Sequence, residues 1–141
     1  METVAQYLLW LLPMLWLGMV LAISFLEAPL KFRAPGITLP LGLGIGRLVF
    51  RALNIAETIL AALLIVAILV VAPSGAVRVW LGVAVAILAI QLLAVRPLLT
   101  RRSDRVLAGA ESPRSHAHYW YVALEVFKAV SLLGLAIAAA P

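Results

Sequence analysis

The chain has 141 residues, 65% of them hydrophobic and 12% charged, with a mean hydropathy of +1.14. A soluble domain carries roughly a quarter charged residues, so this composition belongs to a membrane protein, and at about twenty residues per crossing the length allows about four crossings. The net charge of +5 sits beside apolar spans, which points to orientation and anionic lipid headgroups rather than nucleic acid, and the absence of cysteine excludes disulfides, thiolate metal sites and cysteine nucleophiles.

The first helix is expected over residues 4–26. No basic cluster precedes it and its apolar run exceeds a signal-peptide core, so it reads as a retained span. Residue 2 is Glu and no cysteine is present, which leaves no lipidation motif. Pro13 inside this span is tolerable in a membrane helix, and Tyr7 and Trp10 suit an interface. Ser24-Phe-Leu-Glu27-Ala-Pro29-Leu-Lys31-Phe-Arg33 reads as an exit from the bilayer. The Gly- and Pro-rich stretch that follows, 34–46, has two readings. One is an interfacial or re-entrant connection, and the other is a second helix starting near Pro40 whose Gly42, Gly44 and Gly46 allow close packing. Close packing gives a second helix over 41–72.

Pro73-Ser-Gly75 forces an antiparallel hairpin into a third helix over 77–96, which carries Gln91 near its far end and is expected to stop at Arg96-Pro97. Residues 98–110 are the longest hydrophilic stretch, either a short interfacial helix or a loop. Ser112-Pro113 then supplies an N-cap and a first-turn proline for a fourth helix over 113–139. The fold class expected is all-α, a polytopic four-transmembrane-helix bundle forming a single domain.

Polar residues inside these spans carry the functional interest. In the second helix Arg47, Arg51, Asn54 and Glu57 fall within an arc of about 120°, and in the fourth His118, Tyr121, Glu125 and Lys128 fall within about 80°. A charge near a membrane helix centre costs about 2.5–3.5 kcal/mol on insertion scales, so Glu125 and Lys128 need partners. Their i, i+3 spacing lets them pair with each other. Because the second helix enters from the same side, the expected cross-helix pairs are Arg47 or Arg51 with Glu125, and Glu57 with Lys128. Gln91 is expected to bond across helices, and Glu27, Lys31 and Arg96 form a rim, with Glu27 and Lys31 paired at i, i+4. Such a seam either locks helix packing or binds a small polar or ionic ligand or relays protons.

His116 and His118, at i and i+2, point about 200° apart on a helix and cannot share a metal unless the segment is extended. Either alone could be one axial haem ligand, but the chain has no further histidine to complete the pair. No metal site is assigned, and no cofactor is named by the sequence. No nucleophile–base constellation is visible, although Glu57, Glu125 or His118 could act as acid or base on a lipid-soluble substrate.

Basic residues set the expected orientation. Lys31 and Arg33 in the first connection, and Arg101, Arg102, Arg105 and Arg114 in the third, outnumber the lone Arg78 beside the second. Loops one and three are therefore expected to be cytoplasmic, with both termini outside a cell (inner or plasma) membrane. The small volume enclosed by four short helices suggests a homo-oligomer or a larger membrane complex.

Ser24-Phe25-Leu-Glu-Ala28-Pro29-Leu-Lys-Phe32, followed by Gly46-Arg47-Leu-Val-Phe50, resembles the transmembrane protein 205-like family, and His118 resembles that family's loop-to-helix histidine. The resemblance implies four helices and membrane residence, with a lean toward transport. Glu27, Lys31, Glu125 and Lys128 have no counterpart in the motif. Three function classes stay open: transport or binding of a small ligand or ion, an accessory or scaffold subunit, and a membrane-embedded enzyme.

Overall fold

The computed structural model describes the backbone of residues 2–109 and 116–141 and the side chains of 2–109 and 118–141. The Ser112-Pro113 cap, Arg114 and the side chain of His116 lie outside the described residues. The chain is an all-α bundle with four helices long and apolar enough to cross a membrane: α1, Glu2–Lys31; α2, Leu39–Val71; α3, Gly75–Leu107; and α4, His116–Ala139.

Two helices run past the prolines expected to end them. α1 continues beyond residue 26 through Pro29 to Lys31, and α3 continues beyond Arg96 through Pro97 to Leu107. Both passages have the same construction. A stretch of π-helical backbone, Leu21–Glu27 in α1 and Gln91–Val95 in α3, ends two residues before the proline. A proline ring collides with the carbonyl four residues back in an α-helix, and a wider π turn moves that carbonyl aside. The helix bends its hydrogen-bond pattern rather than stopping.

α2 opens on Thr38, whose Oγ1 accepts from the Leu41 N–H at 3.2 Å, with Pro40 in the first turn. Its glycines do different work. A Cβ on Gly42 would collide with the Phe32 ring and one on Gly46 would crowd Lys31 Nζ at 3.2 Å, whereas Gly44 faces open space. The α2–α3 turn passes through Ala72 at φ 49°, a left-handed C-cap that ends α2 without a glycine.

α1 packs along α2 and α4, and α4 packs along α3. α2 and α3 touch little along the Gly75–Ile90 part of α3 and meet again where Arg96–Leu107 lies against α2. The main core joins Leu9, Trp16, Leu64, Leu81, Ala84, Leu132 and Leu135. At Gly134 a Cβ would stand 2.7 Å from the Trp80 indole, so α3 and α4 approach closely there. Large apolar side chains such as Leu69, Leu93 and Ile137 point outward, as acyl chains require.

Candidate functional site: a buried ion network at the floor of a basic cleft

The four helices each send a polar side chain to one point in the interior. Glu57 of α2, Gln91 of α3, and Glu125 and Lys128 of α4 are all at most 2% exposed. Lys128 Nζ lies 2.5 Å from Glu57 Oε2 and 2.5 Å from Glu125 Oε1, and it donates to Gln91 Oε1 at 2.8 Å. An ammonium has three N–H donors, so Lys128 is fully used. Gln91 Nε2 donates to Glu125 Oε1 at 2.9 Å, and Ser24 Oγ of α1 donates to Glu125 Oε2 in a short hydrogen bond. Trp16 Nε1, also of α1, donates to Glu57 Oε2 at 2.7 Å. Glu57 Oε1 is buried without a hydrogen-bond partner among the described residues. With every group ionised, two carboxylates and one ammonium leave one net negative charge.

The π-helical stretches build this network. Ser24 lies in the stretch before Pro29, and Gln91 opens the stretch before Pro97. Their side chains hold the two oxygens of Glu125 from opposite helices. At 100° per residue Ser24 would stand about 80° around α1 from Trp16. The π turns advance fewer degrees per residue and close that angle, so both donors face the same interior.

Toward the basic end of the bundle, where Arg47, Arg96 and Arg102 gather, the helices part around a cleft of about 1180 Å³. It is enclosed by the end of α1, the Gly-rich first half of α2, the extension of α3 past Pro97 and the first described turns of α4. Ser24 and Glu125 line its inner wall, so one side of the network meets the cavity. Among the described residues five cationic side chains, Lys31, Arg47, Arg51, Arg96 and Arg102, line it against one carboxylate, that of Glu125. Lys31 pairs with Glu27 at 3.6 Å, the i, i+4 pair expected, and Arg47 pairs with Asp104 at 2.6 Å.

The expected pairing of Arg47 or Arg51 with Glu125 is not found. Glu125 is already held by Lys128, Gln91 and Ser24. Arg51 and Arg47 start six and ten residues before Glu57, about 9 and 15 Å nearer the basic end. The continuation of α3 past Pro97 brings Asp104 to Arg47 instead. Arg51 is exposed at the cleft, and neither it nor Arg96 has a carboxylate within ion-pair distance among the described residues. The Arg96 guanidinium lies over two rings, 5.1 Å from the Phe50 centroid and 5.7 Å from that of Tyr121. Those rings meet edge to face at 5.9 Å.

Asn54, His118 and Tyr121 also line the cleft. Tyr121 and Ser103 are buried, and their hydroxyls have no hydrogen-bond partner among the described residues. A buried hydroxyl left unsatisfied costs about 1–3 kcal/mol, which makes each an acceptor-seeking group at the wall. Among the described residues no group of three or more His, Cys, Asp or Glu side chains is placed to hold a metal.

Sequence reasoning grouped Glu57, Gln91, Glu125 and Lys128 in one seam, but it did not single out Trp16, Ser24, Ser103, Phe50 or Asp104. Trp16 at 0% exposure is a donor as well as packing volume. The repeated x-Pro after an uncharged span, at Ala28-Pro29 and Arg96-Pro97, was the available signal for the π stretches. Compared with known proteins, the chain matches no protein-family model, no curated protein and no solved structure. The fold and site define a four-helix membrane protein with a cavity opening on a buried ionic cluster.

Proposed function

We propose that this protein binds a small ligand inside the membrane, with carriage of that ligand between bilayer and water as the finer reading. One observation carries it: Glu125, tied into the buried network, is also a wall residue of the 1180 Å³ cleft. Structural ion pairs need no access, whereas here a cavity larger than the usual 300–1,000 Å³ small-molecule site (about) reaches the charged cluster. The cavity lies within one chain, so binding requires no second copy. The likeness to the transmembrane protein 205-like family, residence in a cell membrane, a cytoplasmic basic end and outward termini belong to the same proposal, the last two resting on the loop arginines. Assembly as a homo-oligomer or within a larger complex also stays a proposal.

A second reading, a packing or scaffold role, draws on the saturation of Lys128, since a fully satisfied network fixes helix register without a ligand. Thermal unfolding of the purified protein against a panel of charged and neutral amphiphiles separates the two. Ligand binding predicts that at least one compound stabilises the wild type and not Asn54→Trp, which fills the cleft. Equal responses of both proteins to every compound refute the ligand-binding reading and leave the scaffold role.

A further inference from the structure

We infer that the cleft ligand is an anionic amphiphile, a phosphate or carboxylate head on a hydrocarbon tail. The inference rests on the ligand-binding reading and gives that ligand its chemistry. Head and tail are recognised by different side chains of the lining. Arg51 and Arg96 both line the cleft, and neither has a carboxylate partner among the described residues. Arg96 is held over the Phe50 and Tyr121 rings, which fixes a guanidinium without neutralising it. The Tyr121 ring lies against that guanidinium and Ser103 lines the same cleft, and among the described residues neither buried hydroxyl has a hydrogen-bond partner. Two uncompensated cations and two unused hydroxyl donors call for oxygen acceptors bearing negative charge, the pattern that a phosphate or carboxylate satisfies bidentately.

A cationic ligand meets the wrong field. Among the described residues five basic side chains line the cleft, and the one carboxylate there, Glu125, already accepts from Lys128, Gln91 and Ser24. The tail follows from the apolar lining that α2 supplies. Leu48, Ile55 and Ile59 line the cleft and are 72%, 56% and 55% exposed, so the cavity wall runs directly into the lipid-facing surface of α2. A chain lying there stays in hydrocarbon while its head reaches Arg96. The ligand enters sideways from the bilayer.

The test uses the full-length protein in phosphatidylcholine nanodiscs, titrated with dodecyl phosphate, dodecyltrimethylammonium, dodecyl maltoside and inorganic phosphate, with binding read by intrinsic fluorescence and thermal unfolding. Saturable binding of dodecyl phosphate well above the cationic and neutral probes is expected, with inorganic phosphate weak because it lacks the tail. Arg96→Gln and Arg51→Gln each weaken dodecyl phosphate by about 10- to 100-fold, and Tyr121→Phe weakens it without altering the affinity for dodecyl maltoside. Arg51 is exposed, so its variant decides the matter even if Arg96→Gln fails to fold. Preferential binding of the cationic or neutral probe, blocked by Asn54→Trp, overturns the anionic assignment while leaving the ligand-binding reading intact. Binding of inorganic phosphate as tight as dodecyl phosphate overturns the tail. No binding by any probe overturns both.

Discussion

Replacing Lys128 by Met tests the network where it is most exposed to failure. Lys128 is 0% exposed and makes two ion pairs at 2.5 Å and one hydrogen bond at 2.8 Å. Met keeps much of the chain length but leaves Glu57 and Glu125 facing each other without a cation. Removing one partner of a buried ion pair costs about 3–5 kcal/mol, and here one change removes the partner of two carboxylates, so the loss sits at or above the upper end. That corresponds to a fall of roughly 4,000-fold or more in the folded-to-unfolded ratio. Glu57→Gln behaves differently. It leaves Lys128 paired with Glu125 and converts a network of net charge −1 into a neutral one, and Gln still accepts from Trp16. Its cost falls below about 2 kcal/mol. The assay is unfolding in mixed micelles by increasing sodium dodecyl sulfate, followed by helix content and by tryptophan fluorescence. Lys128→Met combined with Glu57→Gln and Glu125→Gln recovers most of the lost stability, because a buried neutral cluster needs no counter-charge. Lys128→Met within about 1 kcal/mol of wild type, or as mild as Glu57→Gln, refutes the buried charge argument.

Other substitutions probe the remaining parts. Trp16→Phe keeps most of the packing volume but removes the indole donor to Glu57, and costs about 1.5–3 kcal/mol in the same assay. Gly134→Ala drives a methyl into the Trp80 ring and destabilises by about 1–3 kcal/mol, while Gly44→Ala, facing open space, stays within about 0.5 kcal/mol. Arg47→Ala breaks the pair with Asp104, whose side chains are 42% and 57% exposed, and shifts stability by less than about 1 kcal/mol, falling further in high salt.

How much of this was readable in the residues differs by element. Four spans follow from apolar runs alone, and the meeting of Glu57 with Glu125 and Lys128 from wheel geometry on α2 and α4, because both depend only on local order; the same wheel also puts Arg47 and Arg51 in that seam, and neither joins the network. The i, i+3 pair of Glu125 with Lys128 and the i, i+4 pair of Glu27 with Lys31 are local in the same sense. The helix ends at residues 26 and 96 were misplaced because proline was treated as a stop, when a preceding π turn lets each helix carry on. That one difference propagates. Without the extension of α3, Asp104 is not beside Arg47, and Glu125 is left as the partner the wheel offers Arg47. Trp16 and Ser24 were hidden for a related reason, since constant rotation per residue puts them on different faces. The cleft is a tertiary feature, lined from all four helices, and no local pattern encodes it.

The central claim is that the cleft above Glu125 holds a ligand in the native membrane. Native mass spectrometry of the protein released from its own membrane reads this directly. A small molecule bound one to one in wild type, and absent from Asn54→Trp, is the result expected. A bare chain in both, or the same adducts on both, contradicts it.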